Sequence, residues 1–265
     1  MTQNIIIANR AKKALREGQS VIGTMVVEVR QASVMQLLAN VGFDFVIIDN
    51  EHGPFSIETI ADLCRSARQV GLTPIVRVPD WTYPDLAQPL DAGAQGVMIP
   101  RITNAEQVRE IVQMVKYPPA GRRGSAQARG YTAFKTGSVS EVMAAVNEET
   151  LVVIQVETRE ATQNLDEIAG VQGVDVLLVG PNDLSIALGI PGKLDDPFFV
   201  ETIQQVIKTC NAHRVFPALH INDVGLAVRW AQQGMRMVSI SSEIGFIVKA
   251  GSEARQTIES VFGNR

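Results

Sequence analysis

Short apolar runs rich in β-branched residues recur along the whole chain, and longer amphipathic stretches separate them. The apolar runs predict eight buried strands, at residues 21–27, 45–49, 74–78, 96–100, 151–157, 174–180, 215–220 and 237–242. The stretches between them predict helices, among them residues 56–70, 84–92, 104–115, 197–212 and 223–233. Such alternation is typical of parallel βαβ units. Eight units in a chain of this length predict a (β/α)8 TIM barrel that forms a single domain over residues 1–265.

An open, doubly wound sheet is the competing architecture, because it is built from the same βαβ units. Its glycine-rich dinucleotide fingerprint, G-x-G-x-x-G after a strand, does not occur in the sequence. The helix boundaries agree with the predicted elements: Ser56 is placed as an N-cap, and Gly71, Gly93 and Gly234 each follow a predicted helix. The barrel is therefore favoured.

Residues 117–137, YPPAGRRGSAQARGYTAFKTG, have no clear period. A segment this long without regular structure is usually functional or mobile. In one interpretation a mobile loop carries Arg122, Arg123 or Arg129 toward an acidic substrate. In the other, these arginines are solvated or hold a subunit interface.

The composition, with 46% hydrophobic and 20% charged residues, suits one large core and excludes a disordered chain. A net charge of −4, with acids and bases interspersed, lacks the basic patch of a protein that binds nucleic acid or an anionic membrane. Cys64 and Cys210 lie outside any metal-ligand spacing and are expected to be reduced thiols. No apolar run has the length of a signal-peptide core or a membrane helix. We therefore expect a cytoplasmic protein whose partner is a small molecule.

Polar residues interrupt the apolar pattern where the predicted strands end. They are Asp49, Glu51 and His52 after the second strand, Arg77 in the third, Gln155 and Glu157 in the fifth, Asn182 and Asp183 after the sixth, and His220 in the seventh. In a (β/α)8 barrel these ends meet at one rim, where active sites are built. Gln155 and Glu157 alternate around Val156 and face the same side of their strand, where an unpaired carboxylate is costly to bury unless a cation neutralises it. The strand ends predict one convergent site.

The segments DNEHG, RVP, IQVET and GPNDLS, in this order and spacing, with DAGAQGVMIPR and PPAGRRG between them, resemble the HpcH/HpaI aldolase family of class II pyruvate aldolases. The resemblance extends from residue 18 to residue 250. It implies a metal-dependent carbon–carbon lyase with a (β/α)8 barrel. Such an enzyme reversibly cleaves 4-hydroxy-2-oxo acids to pyruvate or hydroxypyruvate and an aldehyde, through a metal-stabilised enolate. It also implies a homo-oligomer, either a trimer or a hexamer.

Carried over to this sequence, the resemblance implies that Glu157 and Asp183 bind a divalent metal. Carboxylate oxygens are hard ligands, which suits Mg, Mn or Co with the 2-oxo acid and waters completing an octahedron. The metal would act as a Lewis acid on the keto oxygen of the substrate. Gln155 and Asn182 are implied to contact the 2-oxo acid, Asn182 through its backbone, and Asp183 belongs to this substrate-binding set as well.

The resemblance assigns the other polar residues to catalysis. Arg77 is implied to contact the developing oxyanion with its fixed positive fork. His52 is implied to exchange the proton of the C4 hydroxyl group as general base and acid, because histidine titrates near neutral pH. Asp91, in LDAGA, is implied to raise the basicity of His52, and Asp49 to support it from the same strand end.

Two positions depart from the family pattern. His220 stands where an apolar residue is expected on the aldehyde side, and three roles are open to it: pocket wall, second proton shuttle or structural imidazole. Glu243 stands where many relatives carry aspartate, which concerns the rim or a subunit contact and not the metal pair.

Two other functions stay open. An acyl-CoA lyase or synthase of the same superfamily would need cations for the CoA diphosphate, and the segments HINDVG and SSEIG after the last two strands contain no Lys or Arg. A noncatalytic barrel that binds a 2-oxo acid needs no acid–base residues, whereas His52 and Arg77 are both present.

Overall fold

Eight parallel strands close into a barrel in sequence order in a computed structural model of the chain, which describes residues 6–126 and 128–262. The strands are β1 Val21–Val26, β2 Phe45–Asp49, β3 Thr73–Arg77, β4 Gly96–Ile99, β5 Leu151–Val156, β6 Val176–Val179, β7 Phe216–Ile221 and β8 Met237–Ser242. Strand β8 pairs with β1, with Val21 opposite Met237, and this pairing closes the barrel. The predicted (β/α)8 TIM barrel is confirmed as a single α/β domain. The doubly wound alternative is wrong, because an open sheet would leave β1 and β8 unpaired.

Helices follow the strands around the outside of the barrel, and one further helix precedes the first strand. They are α1 Arg10–Arg16, α2 Ser33–Val41, α3 Ile57–Gln69, α4 Tyr83–Ala92, α5 Ala105–Val115, α6 Val139–Glu149, α7 Arg159–Gln163, α8 Leu165–Ala169, α9 Pro181–Ala187, α10 Pro197–His213, α11 Val224–Gln232 and α12 Glu243–Phe262, with a 3-10 turn at Gly130–Thr132. The five predicted helices agree with α3, α4, α5, α10 and α11 to within one residue at each end. The Ser56 hydroxyl accepts a hydrogen bond from the Thr59 N–H at 3.3 Å, and Gly93 follows α4 with φ of +119°. The predicted cap and the predicted terminal glycine are thereby confirmed.

Apolar side chains pack on both faces of the sheet, between strands and helices outside and against one another inside the barrel. Helix α1 fills the amino-terminal end of the interior: its Ala11 and Leu15, each 1% exposed, pack in one cluster with Phe45 and Met237. Because this end is plugged by apolar side chains, a ligand enters the barrel at its carboxyl-terminal end.

The segment 117–137 is fixed against the barrel by a buried arginine, although residue 127 lies outside the described residues. Arg123 is 2% exposed, pairs with Asp91 of α4, and has its guanidinium carbon 4.8 Å from the ring centroid of Tyr117. Arg122 pairs with Glu110 on the surface of α5 at 2.6 Å. Arg123 is thus a structural residue within its own chain, which agrees neither with an arginine carried by a mobile loop nor with a solvated one.

Helix α12 is weakly packed against its own barrel. After Glu243 the described part of this helix contains no buried residue, and Ile247 and Phe262 are 65% and 72% exposed. Beside its first turns lies an apolar groove of about 400 Å³, lined in part by Leu37 and Val41 of α2. A long apolar surface therefore remains uncovered on this side of a single chain.

Two expectations from the composition can be compared with the structure. Cys64 and Cys210 are free and buried, and burial raises the pKa of each thiol to about 12, which confirms two unreactive reduced cysteines. Among the described helices, none combines the length and the hydropathy that crossing a membrane requires.

Candidate active site

One layer of inward-facing side chains at the carboxyl ends of the odd-numbered strands is mostly polar. Its members are Met25 of β1, Arg77 of β3, Gln155 of β5 and His220 of β7. All four line a cavity of about 340 Å³, with Met98 and Leu178 of β4 and β6 beneath them. Barrel interiors are filled by such layers from alternate strands, usually of bulky apolar residues. Three of the four residues in this layer are polar, where apolar residues are usual, and this marks the cavity as a candidate active site.

Arg77 is held by two carboxylates from the adjacent strand end. Its Nε and Nη2 donate to the two oxygens of Asp49 at 2.9 and 2.7 Å, and its Nη1 lies 3.3 Å from Glu51 Oε2. Burial opposes ionisation of Asp49, yet the hydrogen bonds and charge of Arg77, with the backbone N–H groups of His52 and Glu51, hold its pKa below the usual range. The guanidinium group is therefore a fixed cation at the cavity wall.

Arg101 is a rim residue that the strand-end reasoning missed. It follows β4 with φ of +57°, a left-handed conformation that costs energy for a residue other than glycine. In this conformation its backbone N–H donates to Glu157 Oε1 at 2.7 Å, and its Nη1 lies 3.3 Å from Glu51 Oε1. Its position two residues after the end of β4, in GVMIPR, was the signal that could have indicated it.

Glu157 and Gln155 are packed side by side over a glycine. The Gln155 Nε2 donates to Glu157 Oε2, and the two side chains are 2% and 6% exposed. A Cβ atom at Gly180 would lie 2.8 Å from Gln155 Nε2 and 3.1 Å from Glu157 Oε2. Glycine at position 180 is therefore required for these two side chains to approach the backbone that follows β6.

Asp183 lies close enough to Glu157 to affect its ionisation. The pKa of Glu157 is raised to about 7, first by burial and then by the charges of Asp183 and Glu51, against the lowering effect of the Arg101 N–H and of Arg77. Asp183 and Asn182 are exposed residues in the first turn of α9, and both line the cavity. The structure thus brings the two predicted metal ligands to the same side of the site.

The donor set fits a divalent cation. The pKa of Glu157 is raised by its burial and, to a smaller extent, by the nearby charges of Asp183 and Glu51, and the buried Oε1 of Gln155 has no hydrogen-bond partner among the described residues. Within the same residues, no three His, Cys, Asp or Glu side chains form a metal-binding group. Two carboxylate ligands leave the other coordination positions of a cation open. This is the arrangement expected where substrate and water supply the other oxygen ligands.

His52 stands at the mouth of the cavity. Its side chain is 69% exposed, its Nε2 lies 3.8 Å from Glu51 Oε2, and its backbone N–H donates to Asp49 Oδ1 at 3.3 Å. Asp49 therefore contacts the backbone of His52, while both of its oxygens bind Arg77. An exposed imidazole at the rim can exchange protons with a bound substrate.

Asp91 is not brought to the cavity within one chain. It lies in the last turn of α4, which starts beyond the rim after β3 and runs back toward the amino-terminal end of the barrel. Its Oδ1 pairs with the buried Arg123, and no contact with His52 is formed among the described residues. A direct interaction between Asp91 and His52 would therefore require a second copy of the chain.

His220 projects into the cavity from β7. Its Nδ1 is 2.9 Å from the hydroxyl oxygen of Ser239 on β8, and burial together with the charge of Arg77 lowers the pKa of the imidazole to about 4. Asp49 acts in the opposite direction. Near neutral pH His220 is therefore an uncharged group in the wall of the site.

Glu243 has a structural contact at the rim. Its carboxylate accepts hydrogen bonds from the backbone N–H groups of Val27, Glu28 and Val29 at 2.7 to 3.0 Å. It is 4% exposed and begins α12. The residue that departs from the family pattern therefore ties the last helix to the end of the first strand.

Comparison with known proteins agrees with the fold. A family model described as HpcH/HpaI aldolase/citrate lyase matches residues 24–250. A hydroxypyruvate/pyruvate aldolase from Roseobacter denitrificans is 32% identical over 243 residues, which cover 92% of this chain and 94% of the relative. A 4-hydroxy-2-oxo-heptane-1,7-dioate aldolase from Escherichia coli is 34% identical over 245 residues, covering 91% and 92%.

A solved structure gives the same result. The crystal structure of an HpcH/HpaI aldolase from Desulfitobacterium hafniense superposes with a TM-score of 0.91 at 32% identity, covering 95% of this chain and 97% of that one. Since the family model covers most of the chain and these relatives match it over nearly their whole length, the chain belongs to the HpcH/HpaI aldolase/citrate lyase family.

Proposed function

We propose that this protein is a divalent-metal-dependent class II aldolase that reversibly cleaves 4-hydroxy-2-oxo acids to pyruvate or hydroxypyruvate and an aldehyde. The observation that carries the proposal is the convergence of a fixed cation, Arg77, a carboxylate, Asp183, and an exposed base, His52, at one cavity, with Glu157 hydrogen-bonded to Gln155 of the cavity wall and within electrostatic reach of Asp183. The names of the two aldolase relatives support the choice of a 2-oxo acid.

Arg77 and Gln155 would bind and orient the 2-oxo acid. The guanidinium is already fixed by Asp49 and Glu51, so it can stabilise an oxyanion without first being reordered. The buried Gln155 reaches the same cavity, and the exposed turn at Asn182, which follows the neighbouring strand β6, adds backbone groups beside it.

His52 would take the proton of the C4 hydroxyl group. The C3–C4 bond then breaks, its electron pair passes to the 2-oxo acid as an enolate, and C4 becomes the aldehyde carbon. A proton returned to C3 gives pyruvate or hydroxypyruvate. His52 suits this role because its side chain is exposed at the cavity mouth, where it can reach a bound substrate.

Glu157 and Asp183 would hold the divalent metal, Mg, Mn or Co. When bound, such an ion supplies Lewis-acid polarisation of the keto oxygen. The proximity of the two carboxylates and the raised pKa of Glu157 support this assignment, because a cation between them would relieve their repulsion.

A homo-oligomer, trimer or hexamer, is part of the proposal. The exposed apolar residues of α12 and the apolar groove beside Leu37 and Val41 give a single chain a surface suited to another copy. Assembly would also be the means by which Asp91 could act on His52, since the two residues are separated within one chain.

The first experiment is deuterium exchange into the methyl group of pyruvate, followed by NMR with EDTA-stripped protein before and after addition of Mg, Mn or Co. Exchange that depends on the metal is expected, and Glu157→Gln should abolish it while Glu160→Gln, an exposed residue of α7, should not. Metal binding without exchange, with each of the three metals, would argue for a different donor acid or for a noncatalytic barrel.

A further inference from the structure

His220 and Ser239 form a buried pair inside the barrel wall. They are directly opposite each other on β7 and β8, with His220 Nδ1 2.9 Å from Ser239 Oγ. Ser239 is 0% exposed, so water cannot replace His220 as the hydrogen-bond partner of its hydroxyl group. The pair is continuous with the layer that contains Arg77 and Gln155, and His220 lines the same cavity.

The partners of the serine decide which nitrogen of His220 carries the proton. A buried hydroxyl group donates its hydrogen wherever an acceptor is available. Among the described residues, His220 Nδ1 is the acceptor within reach of Ser239 Oγ. Nδ1 is therefore the acceptor, and Nε2 carries the hydrogen of the neutral ring.

The Nε2–H group of His220 has no protein acceptor among the residues that the structure describes. The Nε2 atom is not one of the buried side-chain polar atoms that lack a hydrogen-bond partner, so it is accessible from the cavity. Its neighbours in the cavity include the apolar side chains of Met25 and Leu178. The site thus presents a fixed, uncharged hydrogen-bond donor in a wall that these apolar side chains share.

We propose that His220 is a specificity-determining residue, whose Nε2–H donates a hydrogen bond to a hydroxyl group on the carbon next to the reacting carbonyl of the substrate. This inference rests on the proposed aldolase function. The hydroxyl group can belong to the donor, as in hydroxypyruvate compared with pyruvate, or to the acceptor, as in glycolaldehyde compared with acetaldehyde.

The chemistry of the donor favours a neutral oxygen over an anionic one. A carboxylate or phosphate is bound best by charged groups with several donors, such as guanidinium. A single neutral N–H group matches one hydroxyl oxygen. A substrate without that oxygen leaves the donor without its partner in the bound complex, which penalises the analogue.

The test compares kcat/KM for both matched substrate pairs in the unmodified protein and in His220→Leu, with a saturating divalent metal. We expect the ratio of the hydroxylated to the unhydroxylated substrate to fall by about tenfold or more in one pair, as the loss of one hydrogen bond in a desolvated site implies. His220→Gln, whose side-chain amide can donate from a similar position, should recover part of the ratio. His213→Leu on the outer helix α10 is the matched control and should leave it unchanged.

A double variant keeps the result interpretable. His220→Leu alone leaves the Ser239 hydroxyl unpaired, so His220→Leu with Ser239→Ala removes both partners and avoids that penalty. Its thermal midpoint and its pyruvate affinity report whether the barrel and the rest of the site remain intact.

The outcomes separate this inference from the function on which it rests. An unmodified protein that cleaves no 4-hydroxy-2-oxo acid and exchanges no pyruvate deuterium with Mg, Mn or Co contradicts the proposed function, and this inference with it. An active protein in which His220→Leu changes both members of each pair by the same factor contradicts the inference alone. Such a uniform loss is what a second proton shuttle or a plain pocket wall would give.

Discussion

Arg77 binds Asp49 through two parallel hydrogen bonds, from Nε to Oδ1 at 2.9 Å and from Nη2 to Oδ2 at 2.7 Å. The two residues are directly opposite each other on β2 and β3, so the sheet register itself sets this geometry. Bidentate pairing fixes the plane of the guanidinium group as well as its position. Asp49 therefore acts on the proposed chemistry through Arg77, in addition to its contacts with the turn at His52.

We predict that Asp49→Asn lowers both stability and turnover. Asparagine keeps the shape of the side chain but leaves a buried arginine with Glu51 as its remaining close carboxylate. Loss of one partner of a buried ion pair costs about 3 kcal/mol in free energy of unfolding, and kcat should fall at least tenfold because the guanidinium is no longer fixed. Urea unfolding and steady-state kinetics measure the two effects.

The matched control for this prediction is Asp62→Asn. Asp62 pairs with Arg65 at 3.1 Å, but both side chains are more than half exposed. An exposed pair contributes less than about 1 kcal/mol. If Asp49→Asn and Asp62→Asn change stability and turnover equally, Asp49 contributes no more than an exposed surface charge does.

We predict that metal affinity falls as the pH falls below 7. The pKa of Glu157 is raised to about 7, so below this pH the carboxyl group holds a proton that the metal must displace. Affinity should decline roughly tenfold per pH unit below the pKa, with release of a proton on binding. Calorimetry at pH 6 and pH 8, in buffers with different ionisation enthalpies, measures both quantities.

Glu157→Gln should remove the binding, while Glu160→Gln on the exposed face of α7 should retain both the affinity and its pH dependence. Metal affinity that is the same at pH 6 and pH 8 would show that Glu157 is not a ligand.

We predict that Gly180→Ala disturbs the site more than the fold. The added methyl group would lie 2.8 Å from Gln155 Nε2 and 3.1 Å from Glu157 Oε2, so these two side chains must move. Overpacking of this kind costs about 1 to 3 kcal/mol, and affinity for metal and pyruvate should decrease. Titration of both ligands with the variant measures the change.

Gly251→Ala is the control for the glycine substitution. A Cβ atom at Gly251 meets no atom within 4 Å, and the residue is in the middle of α12. Alanine there should leave ligand binding unchanged and raise helix stability by up to about 1 kcal/mol. If Gly180→Ala binds metal and pyruvate as tightly as Gly251→Ala, the contacts over Gly180 do not shape the site.

The alternation of apolar runs and helices was sufficient to predict the barrel, because each strand is buried on both faces and its pattern is local in sequence. The rim residues could be found for the same reason: Asp49, Arg77, Gln155 and Glu157 occur where an apolar run ends. Once strands are placed in order around a barrel, their carboxyl ends meet at one site. The candidate site was therefore predictable as a set of residues.

The contacts within that set were not predictable. The backbone N–H of Arg101 reaches Glu157 because Arg101 has a positive φ, and no local pattern in GVMIPR indicates this conformation. The position of Asp91 depends on the direction of α4, which places it away from the rim. Similarly, the three backbone groups that Glu243 binds are more than two hundred residues away in sequence.

We predict that Glu243→Gln destabilises the protein through the junction of β1 and α12. The carboxylate binds three backbone N–H groups, whereas an amide offers one oxygen and places a donor against other donors. Loss of charge-assisted hydrogen bonds of this kind costs about 1.5 to 3 kcal/mol. Urea unfolding measures it, and Glu253→Gln, exposed in the same helix, should change stability by less than about 0.5 kcal/mol. If Glu243→Gln lowers the free energy of unfolding no more than Glu253→Gln does, backbone pairing alone stabilises the junction of β1 and α12.

We predict that His220 makes the protein sensitive to acid. Burial and the charge of Arg77 lower the pKa of His220 to about 4, while Asp49 opposes this effect. The unfolded chain takes up a proton at its ordinary pKa of about 6.5, and the folded chain does so only at lower pH. The contribution of His220 to the free energy of unfolding is therefore fully present above pH 6.5. As the pH falls toward 4, this contribution decreases by up to about 3 kcal/mol.

Urea unfolding of the unmodified protein and of His220→Gln, at intervals between pH 8 and pH 4, measures this contribution. The difference between the two proteins at pH 8 gives the cost of the substitution itself, because His220 is neutral there in both the folded and the unfolded state. As the pH falls below 6.5, the unmodified protein should lose stability faster than the variant, so the difference narrows. Parallel curves over the whole range would show that His220 titrates alike in the two states, which would contradict its burial beside Arg77 as a neutral group.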